Sequence, residues 1–181
     1  MIRLATDTDL PAIVGIYNEA VAERFATADL TAVTLEGRRT WFAEHDPSAF
    51  PIYVFEEAGL VRGWCSLSCY RSGREALLGS AEISYYVASN ARGRGVGSAL
   101  VRHATRQAPG LGKRVLFAIL LGKNRASIHL MEKCGFELWG CLTWRSSRAS
   151  SSVTCTTAER SDTRLETVAP FRASPGTPAS I

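Results

Sequence analysis

The stretch Glu82–Leu100, EISYYVASNARGRGVGSAL, constrains the chain more than any other. It opens with β-forming residues and breaks at the turn Arg92-Gly93-Arg94-Gly95-Val96-Gly97. It then resumes at helical spacing. Glycine reaches backbone conformations closed to other residues and lets a ligand come close to the main chain. A turn that opens a helix leaves the first amides without an internal acceptor. Those donors and the positive end of the helix dipole form an anion site, which neighbouring arginines strengthen for phosphate. The turn therefore predicts a phosphate or pyrophosphate cradle at a strand-to-helix junction.

The flanking sequence sets that junction in a mixed fold. MIRLA reads as a short strand and DLPAIVGIYNEAVAER as a helix, with Asp9 as cap and Pro11 in the first turn. TLEGRRTWFAEH reads as a second helix capped by Thr34. PIYVFEEAGLVRGWCSLSCY is a hairpin turning at Glu57-Ala58-Gly59. After the glycine turn come a helix over GSALVRHATRQA, a nearly all-apolar strand KRVLFAIL, a helix NRASIHLMEKC stopped by Gly135, and a strand FELWGCL. The order β-α-α-β-β-β-α-β-α-β predicts an α+β fold in α-β-α layers: a central mixed, mostly antiparallel sheet with helices on both faces.

Composition narrows the partners. With 46% apolar residues in 181, a sizeable core is available. No apolar run reaches the order of 18 residues that a membrane span needs. The start lacks a basic leader before an apolar run, so a cytoplasmic location is expected. Cys65, Cys69, Cys134, Cys141 and Cys155 are an odd set without a CxxC pair, which reads as reduced, mostly buried thiols and no metal site. The net charge of +4 is mild. The basic strip Arg92, Arg94, Arg102, Arg106, Lys113, Arg114, Lys123, Arg125 lacks interleaved aromatics and any zinc or helix-turn-helix pattern. No nucleic-acid or membrane partner is expected, and a small polyanion suits the strip equally well.

Three ligands use such a cradle. A P-loop needs a lysine after the last glycine, and Ser98 stands there. A dinucleotide fold puts the glycine turn after the first strand with an acid about 20 residues on, and this turn lies mid-chain. The third is the pyrophosphate of coenzyme A.

RGRGVG fits the [QR]-x-x-G-x-[GA] signature of the GNAT superfamily of N-acetyltransferases, between EISYYV and, beyond the next strand, NRASIHLMEKCGFELWG. With IRLATDTDLPAIVGIYNEAV and RRTWFAEHDP, the chain from Met1 to about Leu142 resembles the phosphinothricin/methionine sulfoximine N-acetyltransferase branch. The resemblance implies the GNAT fold and acetyl-CoA as co-substrate. It implies that the strand Glu82–Val87 splays from its neighbour at a bulge. The pantetheine arm would meet Tyr85, Tyr86 and Val87, the pyrophosphate would lie on Arg92, Gly93, Arg94, Gly95, Val96, Gly97 and Ser98, and Asn124 would contact the cofactor.

Acetyl transfer to an amine needs a neutral amine, an activated thioester and a protonated leaving thiol. A carboxylate can strip the amine proton. The resemblance assigns that base to Glu82, the carboxylate nearest the cofactor strand. An amide near Tyr86 or Val87 can stabilise the thioester oxygen. Met131 stands where many relatives carry the tyrosine that protonates the thiolate, so Tyr85, Tyr86 or water would take that role. Leu78 stands where phosphinothricin-acting relatives carry an arginine, and Arg71 and Arg74 on the same loop are the candidates to replace it. The expected acceptor is a small molecule with a primary amine, and the reading leaves room for a homodimer. The rival readings are an acyl-CoA-binding protein without turnover and an acetyltransferase for protein N-termini or lysines. His45, His103 and His129 read as surface or packing residues. Trp41, Phe42, Trp64 and Trp139 read as core, with Trp41 or Phe25 as cleft lining.

From Thr143 the sequence changes to Ser, Thr and Arg with scattered apolar residues. Residues 143–181 are expected to be largely disordered. The abrupt loss of resemblance suggests a change of reading frame.

Overall fold

The hairpin of Ile52–Glu57 (β2) and Leu60–Cys69 (β3) organises one sheet. Its turn residues Ala58 and Gly59 both take positive φ, 51° and 74°, a geometry whose twist matches paired strands. The fold is seen in a computed structural model that describes residues 1–146 and 149–159. Ile2–Leu4 (β1) pairs with β2, and Ser80–Val87 (β4) with β3, both antiparallel. Val115–Leu121 (β5) runs parallel to β4. Glu137–Ser146 (β6) and Ala149–Glu159 (β7) complete the order β1-β2-β3-β4-β5-β7-β6.

Leu10–Glu23 (α1) and Leu35–Ala43 (α2) cover one face. Trp64 Nε1 donates to the Ile13 carbonyl at 3.1 Å, and the Trp41 ring lies 5.6 Å from that of Trp64. Val96–Gln107 (α3) and Arg125–Lys133 (α4) cover the other. There Leu100, Val101, Ala104 and Met131 are fully buried. The mixed, mostly antiparallel sheet with helices on both faces is thus the expected one, and all ten expected elements form. Among the described residues no helix is long and apolar enough to cross a membrane.

Thr34 caps α2 through its hydroxyl, which accepts the Gly37 N–H at 3.0 Å. Asp9 precedes α1 but makes no side-chain cap. Its carboxylate accepts instead from the Arg3 guanidinium at 2.7 and 2.8 Å and from the Thr6 N–H at 2.8 Å. Arg3, which also reaches Glu56 at 2.8 Å, holds the Asp9 carboxyl below its usual range. A bidentate charged partner outcompetes the weaker helix amides.

The expectation of disorder from Thr143 does not hold over 143–146 and 149–159. Thr143–Ser146 continue β6, so Leu142 falls inside a strand, and β7 inserts between β5 and β6. β5 offers main-chain partners along its whole length, Val115 to Leu121. The β-branched run at Val153, Thr154, Thr156 and Thr157 suits that position. Backbone pairing with a preformed strand requires no apolar period in the joining segment. The rest of the expected tail, residues 147–148 and 160–181, lies outside the described residues.

Candidate functional site

The parallel ladder between β4 and β5 joins only Ser80, Ala81 and Glu82 to Val115, Leu116 and Phe117. β4 stays in continuous register with β3 from Ala81 to Val87, and β5 stays paired with β7 as far as Leu121. The two strands therefore part beyond Glu82 and Phe117. The resemblance implied a bulge here, and the opening comes instead from loss of β5 pairing alone. A cavity of 460 Å³ occupies the wedge, with Ile83–Val87 on one side and Ile119 and Leu120 on the other. That volume is in the range of cofactor sites.

The mouth of α3 forms the end of this cavity. Gly95 is the N-cap at φ 83°, a left-handed conformation that penalises any side chain. The first amide satisfied within the helix is that of Ala99, bonded to the Gly95 carbonyl at 2.9 Å. The amides of Val96, Gly97 and Ser98 precede it, and all three residues line the cavity. Gly97 is small for a packing reason. A Cβ there would lie 2.9 Å from Leu130 Cδ1 and 3.1 Å from Tyr85 Cε2.

The two arginines of the turn diverge. Arg92 lines the cavity, donates Nε–H to the Val87 carbonyl at 3.2 Å and pairs with Glu23. Arg94 turns to Glu57 at 2.8 and 3.0 Å and is not part of the cavity wall. Gly93 lines the wall as well. Glu23, Ala26 and Phe25 at the end of α1 close one side. Phe25 was the sole member of this group suggested by sequence, since a helix end carries no local mark of what it will face.

Asn124 is buried, lines the cavity, and caps α4 by accepting the Ser127 N–H at 3.1 Å. Across from it the Tyr85 hydroxyl donates to Ser127 Oγ at 2.9 Å. Burial pushes the Tyr85 phenol up to about 12. Met131, one turn further along α4, is fully buried in the core. Tyr86 points to the other face, with its ring 4.9 Å from Tyr17 and 4.8 Å from Trp64. Burial raises its phenol as well.

Glu82 sits at the apex, one residue below the cavity wall on β4, and is half-buried. Burial raises its carboxyl above the usual 4.5. Its register partner on β3 is Ser68. Ser68 lies 3.1 Å from His45 Nε2, and His45 Nδ1–H donates to the Trp41 carbonyl at 2.7 Å. With Nδ1 protonated, neutral Nε2 accepts the Ser68 hydroxyl. Sequence reading gave His45 a surface or packing role. The structure sets it in hydrogen-bond contact with Ser68, the register partner of Glu82, across separations no local motif spans. Arg71 and Arg74 lie on the exposed loop between β3 and β4 and do not line the cavity.

Residues 1–137 match the Acetyltransferase (GNAT) domain family. The chain belongs to the GNAT family. Its enzyme class is that of the N-acetyltransferases. It is 46% identical over 140 residues to YwnH of Bacillus subtilis (strain 168), whose name refers to phosphinothricin acetylation; the match covers 77% of this chain and 85% of that one. It is 37% identical over 140 residues to the L-methionine sulfoximine/L-methionine sulfone acetyltransferase of Pseudomonas aeruginosa, covering 77% and 81%. Among solved structures, a GNAT phosphinothricin acetyltransferase from Sinorhizobium meliloti in complex with acetyl-CoA superposes with a TM-score of 0.83 at 26% identity, over 95% of each chain.

Proposed function

We propose that this GNAT chain transfers an acetyl group from acetyl-CoA to the amine of a small amino acid or analogue of the phosphinothricin/methionine sulfoximine kind, in the cytoplasm. The supporting observation is the wedge between β4 and β5, which ends on the three leading amides of α3. Main-chain groups of Tyr85, Tyr86 and Val87 hold the pantetheine arm like an added strand. The amides of Val96, Gly97 and Ser98, with Arg92, hold the diphosphate, and Asn124 closes the far side. Arg94 contributes through its backbone, its side chain being engaged by Glu57.

Acetyl-CoA supplies the acetyl group as a thioester and leaves as the thiol. Glu82 takes the proton from the acceptor ammonium, directly or through water, so that the nitrogen lone pair can form the new C–N bond. A raised carboxyl suits this task, because a stronger base is better matched to an amine. An amide near Tyr86 or Val87 stabilises the carbonyl oxygen as charge builds on it. Tyr85 protonates the departing sulfur in place of the tyrosine that Met131 replaces. It is a neutral phenol on the cavity wall, held by Ser127, whereas the Tyr86 ring packs against Tyr17 and Trp64.

The test is calorimetric titration with acetyl-CoA, followed by a thiol-release assay against a panel of small amines, a peptide N-terminus and a lysine peptide. Binding with turnover of small amino acids supports the proposal, and absence of binding refutes it. Burial of Met131 in place of a proton donor favours one rival, a binder without turnover. That rival predicts acetyl-CoA affinity and no thiol release with any amine.

A further inference from the structure

Resting on the reading of Glu82 as the base, we propose that His45 is a positioning residue for it, holding the Ser68 hydroxyl so that its lone pairs, and not its proton, face the Glu82 carboxyl. The sheet supplies the placement. Side chains alternate along a strand, so Trp64, Ser66 and Ser68 of β3 leave one face. Their register partners on β4 are Tyr86, Ser84 and Glu82. The Trp64 and Tyr86 rings meet Tyr17 of α1, with centroids 6.3 and 4.9 Å away, so this is the face that α1 and α2 cover. Directly opposed side chains of an antiparallel pair start about 5 Å apart. A serine hydroxyl and a glutamate carboxyl so placed meet directly or through one water.

His45 is fixed from two sides. It follows the end of α2, where the last carbonyls have no partner within the helix. The Thr40 and Phe42 carbonyls accept the Glu44 and His45 amides at 3.0 and 3.1 Å. The Trp41 carbonyl between them accepts His45 Nδ1–H at 2.7 Å, and the imidazole lies against the Trp41 ring with centroids 4.5 Å apart. A carbonyl only accepts, so in the neutral ring the proton is on Nδ1 and Nε2 carries a lone pair. Burial holds this ring below its ordinary 6.5, which keeps it neutral at neutral pH. The charged groups nearest it on α2 and its end are Glu44 and Arg38, which act in opposite senses. Arg38 lies over the Tyr17 and Trp41 rings, Asp46 accepts from Ser48, and the sheet presents Ser68 and Glu82.

A hydroxyl has one proton and two lone pairs. Ser68 commits its proton to His45 Nε2 at 3.1 Å, so what it offers Glu82 is an acceptor. An acceptor does not stabilise a carboxylate. It stabilises the acid form, whose O–H donates to it. Among the described residues no hydrogen bond or ion pair reaches the Glu82 carboxyl to favour its charged form. His45 therefore keeps Glu82 a strong enough base for an ammonium, and gives the acid an acceptor once the proton has arrived. Without Nε2 the Ser68 hydroxyl would turn its proton to the carboxylate and weaken that base.

The test uses the full chain with acetyl-CoA, L-methionine sulfone as acceptor and thiol release as readout. His45→Phe keeps a ring beside Trp41 but offers Ser68 no acceptor. It is expected to move the acidic limb of the pH–rate profile down by about one pH unit and to lower kcat by roughly three- to tenfold, with KM and acetyl-CoA affinity within about twofold. His45→Gln, whose amide oxygen accepts the Ser68 proton, is expected to restore both limb and kcat. In a Ser68→Ala background, His45→Phe should change nothing further, whereas a merely structural His45 would cost the same in either background. Independently of turnover, nitrogen NMR of the His45 ring should report the proton on Nδ1. A proton on Nε2, a limb unmoved in His45→Phe, or a limb moved alike in His45→Gln overturns the proposal, while Glu82→Gln still loses the limb and the base reading stands. A limb retained in Glu82→Gln, or no thiol release by the unsubstituted chain with any amine, overturns the base reading and this proposal with it.

Discussion

Gly97→Ala tests the packing that aims the mouth of α3 at the cavity. The added methyl would meet Leu130 Cδ1 at 2.9 Å and Tyr85 Cε2 at 3.1 Å. Overpacking of this kind costs roughly 1–3 kcal/mol. Alanine recovers roughly 0.5–1 kcal/mol of that through its better helix propensity. The net loss is about 1 kcal/mol, a fall in Tm of about 2–4 °C for a chain of this size. The shift also moves the Tyr85 ring and the leading amides, so acetyl-CoA affinity should fall by about tenfold. The assay is thermal denaturation with and without acetyl-CoA, run on the single variants and on Gly97→Ala/Leu130→Ala. Trimming Leu130 removes the closest atom, so the double variant should be more stable than the sum of the singles by about 1 kcal/mol. Gly93→Ala is the control. Nothing lies within 4 Å of its Cβ, but φ is 73°. It should lose about 1–2 kcal/mol from the left-handed backbone and show no coupling to Leu130. An unchanged Tm for Gly97→Ala, or equal coupling at Gly93 and Gly97, would refute the steric account.

Glu82→Gln should lower kcat by about 10²–10⁴-fold and remove the acidic limb of the pH–rate profile, a limb lying above the ordinary 4.5 because burial raises this carboxyl. Its folded value exceeds the unfolded one, so the stability it contributes is full below the unfolded value and lost as pH rises through the folded one. The Gln variant should therefore melt higher than the parent at neutral pH, with the gap closing in acid, as differential scanning calorimetry would show. Tyr85→Phe should lower kcat by about a hundredfold in stopped-flow thiol release while acetyl-CoA binding stays within about twofold. Asn124→Ala should cost about 1 kcal/mol in denaturant unfolding through loss of the α4 cap, and it should weaken acetyl-CoA binding. Asn124→Ser should restore the cap but not the affinity, which separates the two roles.

Much of the site was legible because its signals are local. Left-handed glycines, a helix opened by Gly95, the Thr34 and Asn124 caps and the turn at Ala58-Gly59 each depend on residues within a few positions. Conformational limits and orphan amides act at that range, so a short window of sequence contains the cause. The pairing of Arg94 with Glu57, 37 residues away, and of His45 with Ser68, 23 away, had no such window. Nor did the strand Ala149–Glu159, whose order comes from the unpaired length of β5 rather than from its own apolar pattern. The sequence by itself determined the elements and the glycine turn that opens α3 after β4. Tertiary structure alone decided where β4 leaves β5, which arginine faces the cavity, and which β3 hydroxyl meets His45. Each of those depends on chain segments brought together only when the sheet closes, and backbone register across a ladder leaves no mark in either strand taken alone.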